Sequence, residues 1–160
     1  MQRLCLTLAR FALSAWIGAA ALFVVTSIAE QRSTAFGSEV KNTLAALRFP
    51  AYYLFGFVLV GLGLVGGAFG VDRTSRRRSW LTIVGCLTVA LTLMVVDYVA
   101  IYSPLHAIVT DPSGARDARF VNLHRWSRQI NMFDVALCLI AAIVACLPAD
   151  KSPTPGPSIQ

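Results

Sequence analysis

The stretch WLTIVGCLTVALTLMVVDYVAIY, Trp80 to Tyr102, carries one formal charge, Asp97, in 23 residues. A helix rises about 1.5 Å per residue, and the hydrocarbon core of a bilayer is about 30 Å thick. About 20 mostly apolar residues therefore suffice to cross it. Backbone N–H and C=O groups find no water in hydrocarbon, so the run must be helical to satisfy them.

Three further runs on either side meet the same test. Phe11–Ala29 has no charge and follows Arg3 and Arg10. A secretory signal is the rival reading of that run, with Ser27 and Ala29 before Glu30 as a cleavage site. The run exceeds the usual 7–15-residue signal core, which favours a retained anchor. Ala51–Val71 is glycine-rich, and Ile130–Leu147 ends at Pro148. The expected fold is all-α: a four-helix transmembrane bundle over 1–148 with spans near 11–29, 51–71, 80–102 and 130–147. The Pro-containing tail 149–160 is expected to be disordered.

Composition agrees with this reading. Of 160 residues, 56% are hydrophobic and 14% charged, against roughly 25% charged in soluble domains. The net charge of +6 comes from arginines clustered between apolar runs, which is how a membrane protein distributes charge. No basic face with base-stacking aromatics is visible, which argues against nucleic acid as a partner. The lipid bilayer is the partner that composition implies.

The connections carry the remaining signals. In Glu30–Pro50, Phe36, Val40, Leu44 and Leu47 recur at helical spacing, which predicts an amphipathic interfacial segment after the first span, or an extension of a span. Asp72–Ser79 is short and holds Arg73, Arg76, Arg77 and Arg78. With four spans, the N-terminus, this loop and the C-terminus share one side. Seven basic residues fall on each side, so the raw count is balanced. Short loops weigh most, so the Arg76–Arg78 run predicts both termini in the cytoplasm.

Packing residues are expected at Trp16 and Gly18 in the first span and at Gly63, Gly67 and Gly70 in the second. Gly63–Gly67 and Gly66–Gly70 are GxxxG pairs, which let helix backbones approach closely, within one chain or between two copies. Pro104 is expected to stop or kink the third helix.

Ionisable groups inside a span are costly and face the bundle interior. Asp97 near the end of the third span and Asp134 near the start of the fourth fall on one side of the membrane, with Tyr52, Tyr53, His106 and His124. On the last helix, Phe120, His124, Ser127, Asn131, Asp134 and Cys138 follow steps of four, three, four, three and four, which is one helical face. The candidate polar cluster is therefore His124, Ser127, Asn131, Asp134, Asp97 and Tyr52. Interhelical hydrogen bonding accounts for such a stripe, at about 1 kcal/mol per bond. A site for a proton, ion or small ligand is the functional alternative.

Two histidines and carboxylates without diagnostic spacing do not define a metal set. The four cysteines lack CxxC spacing, and Cys86, Cys138 and Cys146 read as buried, reduced thiols. No Gly-rich phosphate loop, Ser-His-Asp order or zinc pattern is present. The sequence names no catalytic residue and no cofactor.

Phe120-x-x-x-His124-x-x-Ser127-x-x-x-Asn131 resembles the last-helix signature of the transmembrane-protein-205-like family. Arg48-Phe49-Pro50-Ala51-Tyr52-Tyr53 is similar to the start of that family's second span, and the Trp16-x-Gly18 region to its first helix. The resemblance runs from about Ala9 to Leu147. It implies a small four-helix membrane domain of unknown activity; the short length and simple tail look bacterial, which makes the inner membrane the expected location. Trp16, Gly18, Phe49, Pro50, Tyr52, His124, Ser127 and Asn131 match the pattern, and Asp97 and Asp134 lie outside it. Three readings follow in order: a structural or accessory membrane component, a small and oligomeric transport or efflux component, and a haem- or copper-handling redox protein.

Overall fold

The computed structural model describes residues 1–110 and 118–148. The expected tail and the middle of the third connection lie outside them. The described residues form α1 (Gln2–Arg32), α2 (Ser38–Gly70), α3 (Arg77–Val96), a π-helical segment (Asp97–Tyr102), α4 (Ser103–Thr110) and α5 (Ala118–Cys146). Four helices are long and apolar enough to cross a membrane, counting Arg77–Ile108 as one. The protein is an all-α, multi-pass membrane protein. Contacts run α1 to α2, α2 to α3, α3 to α5 and α5 back to α1, a closed ring in up-and-down order.

Why the helices pack is set by small residues rather than by the hydrophobic effect, because lipid tails are as apolar as the side chains. On α2, Tyr53, Gly56, Val60, Gly63 and Gly67 are buried on one face. A methyl placed on Gly66 would lie 2.6 Å from the Cys5 carbonyl oxygen, and one on Gly70 would lie 2.5 Å from the Leu6 nitrogen. The α1 and α2 backbones therefore touch directly along the end of the hairpin. Trp16, Leu13, Val60, Ile83, Leu87, Ala90 and Ala141 fill the interior. Leu22, Val25, Leu54, Val65, Leu81, Phe133 and Ile143 cover the outside, as lipid contact requires.

The expectation for Gly18 is corrected. Gly18 is exposed, and a methyl there would meet nothing within 4 Å. Two residues turn a helix through about 200°, so with Trp16 facing inward Gly18 must face out. Of the two readings of the segment after the first span, the structure takes the extension of a span: Ser38–Arg48 is continuous with α2 through Pro50 rather than a separate interfacial helix.

The expected Asp72–Ser79 loop is shorter than it reads, because α3 starts at Arg77. Arg76 and Arg10 donate to the Leu147 and Ala145 carbonyls at 3.0 and 2.9 Å, capping the end of α5. The Trp80 indole N–H does the same for Ala68 on α2 at 3.1 Å. These last carbonyls have no intrahelical donor, and the capping side chains supply one. Cys146 is exposed rather than buried, Cys138 is buried, and all four thiols are free.

Pro104 does not stop the third span. The helix widens to π geometry over Asp97–Tyr102 and then continues into α4. Proline lacks an N–H and its ring clashes with the carbonyl four residues earlier. A wider turn just before it moves that carbonyl away. His106 consequently sits on α4 and not in a loop. With about 1.5 Å per residue, α1 and α2 (31 and 33 residues) are about 46 and 50 Å long, well beyond the hydrocarbon thickness.

Candidate functional site

The π-helical segment turns Asp97 into the bundle, where it is 1% exposed. Its Oδ2 accepts three hydrogen bonds: from Tyr53 OH at 2.5 Å, Asn131 Nδ2 at 2.8 Å and Ser127 Oγ at 3.1 Å. The donors come from α2 and α5, so one oxygen ties three elements together. Asn131 extends the chain, accepting from Tyr52 OH at 3.2 Å through its Oδ1 and donating to the Ser127 carbonyl at 2.9 Å.

Local sequence accounts for this meeting. Ser127, Asn131 and Asp134 share the inward face of α5, and Tyr53 belongs to the inward glycine face of α2. Neighbouring Tyr52 points toward α1, with its ring 4.3 Å from Phe23 and 4.9 Å from Trp16.

The second carboxylate is arranged differently. Asp134, one turn further along α5, is also 1% exposed. Trp16, Tyr52, Cys138 and Asp97 lie close to it. Neither of its oxygens has a hydrogen-bond partner, nor do Asp97 Oδ1 and the Trp16 Nε1–H. Among the described residues neither acid has an ion-pair partner. Arg48 pairs instead with Glu30, between α2 and α1. The centre of the bundle thus holds two acids with three bare oxygens.

Of the residues read as candidates from sequence, Asp97, Ser127, Asn131 and Tyr52 are joined by hydrogen bonds. Asp134 lies beside them without a bond. His124 is on an exposed turn nearer the start of α5, its ring parallel to that of Phe120 with centroids 6.2 Å apart. Its step on the helical face is right, but that turn lies beyond the depth where Asp97 and Tyr53 meet α5.

Tyr53 is not in the candidate cluster that the sequence suggests, nor are Tyr98 and Tyr102. A signal for Tyr53 exists: positions 53, 56, 60, 63 and 67 step by three and four, putting it on the glycine face. Tyr98 and Tyr102 follow from the π turn, which periodicity does not reveal. They pack on each other at 5.3 Å, on Tyr53 at 5.2 and 5.0 Å, and Tyr102 on His106 at 5.6 Å. Among the described residues no three His, Cys, Asp or Glu side chains gather around one point.

Chemically, the arrangement offers an acceptor-rich centre inside an apolar bundle. The Trp16 indole N–H is a donor beside Asp134, and among the described residues no positive charge faces either acid. Comparison with protein-family models, with curated proteins and with solved structures finds no match to this chain.

Proposed function

We propose that this membrane protein holds a small cation, protons included, at Asp97 and Asp134, and that it works as a small transport component that couples to that cation. The observation that carries this reading is Asp134, buried without an ion-pair partner and with no hydrogen bond closed on either oxygen, the Trp16 indole N–H being the donor beside it. Networks that serve packing alone satisfy their buried polar atoms. Leaving a buried carboxylate without an opposite charge costs on the order of several kcal/mol. A bound positive charge removes that cost, and intramembrane acids commonly mark ion and proton pathways.

The test is gradient dissipation in proteoliposomes, with a proton gradient and a sodium gradient imposed separately. The wild-type chain is expected to collapse one of them. Asp134→Asn should slow that collapse at least tenfold at unchanged melting temperature. Neither gradient responding, or an Asn variant equal to wild type, overturns the reading.

An accessory role without transport is supported by a different observation, the three donors converging on Asp97 Oδ2. On that reading Asp97→Ala lowers melting and no gradient responds to any variant. The resemblance to the transmembrane-protein-205-like family supports a small four-helix membrane domain and names no activity. The Arg76–Arg78 turn supports termini in the cytoplasm. A periplasm-only reporter active at the C-terminus would reverse that orientation.

A further inference from the structure

Pro50, Tyr98, Tyr102, Ser103 and His106 line an open cleft of about 260 Å³ where α2, the π-helical segment and α4 meet. Tyr102 backs onto Tyr53, whose hydroxyl rests on Asp97. Asp97 leads through Asn131 to Tyr52, and Tyr52 lies against Trp16. Asp134 is one turn deeper along α5. Polar groups thus recur from the cleft to mid-bundle: ring contact joins Tyr102 to Tyr53, hydrogen bonds run from Tyr53 through Asp97 and Asn131 to Tyr52, and Asp134 follows beside them.

Below Asp134 the character changes. Leu13, Val60, Ile83, Leu87, Ala90 and Ala141 are all fully buried. A methyl on Gly63 would lie 2.8 Å from Leu13, and one on Gly67 would lie 2.6 Å from Ile83. No space for even one carbon remains between α1, α2 and α3 there, and an apolar, close-packed region excludes water.

We infer that the cleft at Tyr98, Tyr102 and His106 is the mouth of a one-sided path to the carboxyl pair, admitting water and small cations from the α4 end while the Arg76 end is closed. Its tyrosine faces suit a cation, since aromatic faces attract positive charge within about 6 Å. The inference rests on the reading of Asp97 and Asp134 as a cation site, which it deepens by assigning the side that loads it.

Substituted-cysteine labelling tests it in the full chain, with Cys5, Cys86, Cys138 and Cys146 replaced by Ala. The probe is a membrane-impermeant methanethiosulfonate bearing a trimethylammonium group, added from one face of oriented vesicles at a time. Ser103→Cys and Ser127→Cys should be modified from the α4 face only, at least tenfold faster than from the other, and Ala90→Cys from neither. Asn131→Cys samples the same depth should Ser127→Cys not fold. Equal modification of position 127 from both faces, modification only from the Arg76 face, or none while position 103 reacts, overturns the path. If labelling is one-sided but Asp134→Asn leaves both gradients unaltered, the path stands and the cation-site reading fails.

Discussion

The phenolic hydroxyl of Tyr53 donates to Oδ2 of Asp97 across 2.5 Å, and the two side chains are 2% and 1% exposed. Removing the hydroxyl takes one donor from a carboxylate that keeps two others. Tyr53→Phe is expected to cost about 1–2 kcal/mol, between the mean for interhelical bonds in membranes and that for bonds to charged groups in water. Asp97→Ala should cost more, because it strands Tyr53, Ser127 and the Asn131 amide together. Reversible unfolding in mixed micelles measures both. An Asp97→Ala variant as stable as wild type would contradict the network's structural role.

Glycine positions separate sharply. Gly66→Ala and Gly70→Ala drive a methyl into α1 backbone, which cannot yield as a side chain can. Each is expected to destabilise by about 1–3 kcal/mol, the usual range for overpacking. Gly18→Ala, Gly61→Ala and Gly85→Ala meet nothing within 4 Å. They should be neutral or stabilising by up to about 1 kcal/mol through helix propensity. Melting temperatures of the five variants in one detergent decide the matter, and a destabilised Gly18→Ala would count against the outward placement of Gly18.

Arg48 grips Glu30 through two parallel bonds of 2.6 and 2.5 Å and lies 5.6 Å from the Phe23 ring centre. Both partners keep about a quarter of their surface exposed, so water screens the attraction. A double-mutant cycle of Arg48→Ala and Glu30→Ala should return a coupling of about 0.5–1 kcal/mol that shrinks with added salt. Arg48→Lys keeps the charge but loses the fork, and should retain less than half of it. A coupling insensitive to salt would mean the pair is more enclosed than the structure has it.

Asp72, in the turn before α3, accepts from Thr74 Oγ1 at 2.6 Å, from the Thr74 backbone N–H at 2.9 Å and from Ser75 Oγ at 3.0 Å. The Thr74 hydroxyl first, then its N–H and then Ser75, hold the carboxyl down at about 2 from an ordinary 3.8. A lowered value favours the folded turn at pH above 3.8, and the advantage disappears as pH falls through 2. Hydrogen exchange at the Thr74 amide should show protection above about pH 4 that fades toward pH 2. Asp72→Ala should lack that protection throughout. Protection unchanged at pH 2, or surviving in Asp72→Ala, would rule out the carboxylate as its source.

The four spans were legible because hydropathy over 20 residues is a coarse and forgiving signal. The inward face of α5 was legible too, since Ser127, Asn131 and Asp134 keep helical step. Depth was not. The same step includes His124, and nothing in the spacing says at which turn of α5 Asp97 and Tyr53 meet it. The choice between Tyr52 and Tyr53 turned on a rotation of about 100°, which only the glycine face could settle. The π turn was hidden because it changes the hydrogen-bond register without changing composition, and Pro104 was its only trace. The bare oxygens of Asp134 depend on distances that no pattern of residue types encodes.

The hairpin of α1 and α2 is longer than the hydrocarbon is thick, and Ser38–Arg48, with the Arg48–Glu30 clasp at its base, makes up about 15 Å of α2 at the connected end. A chain this small, sunk in a detergent belt, gives electron-microscope images almost nothing to align on. That stiff stalk supplies a grip. A helical fusion grafted in frame at its tip, across Thr34–Gly37, would inherit the orientation of the bundle beneath and serve as a fiducial for imaging it.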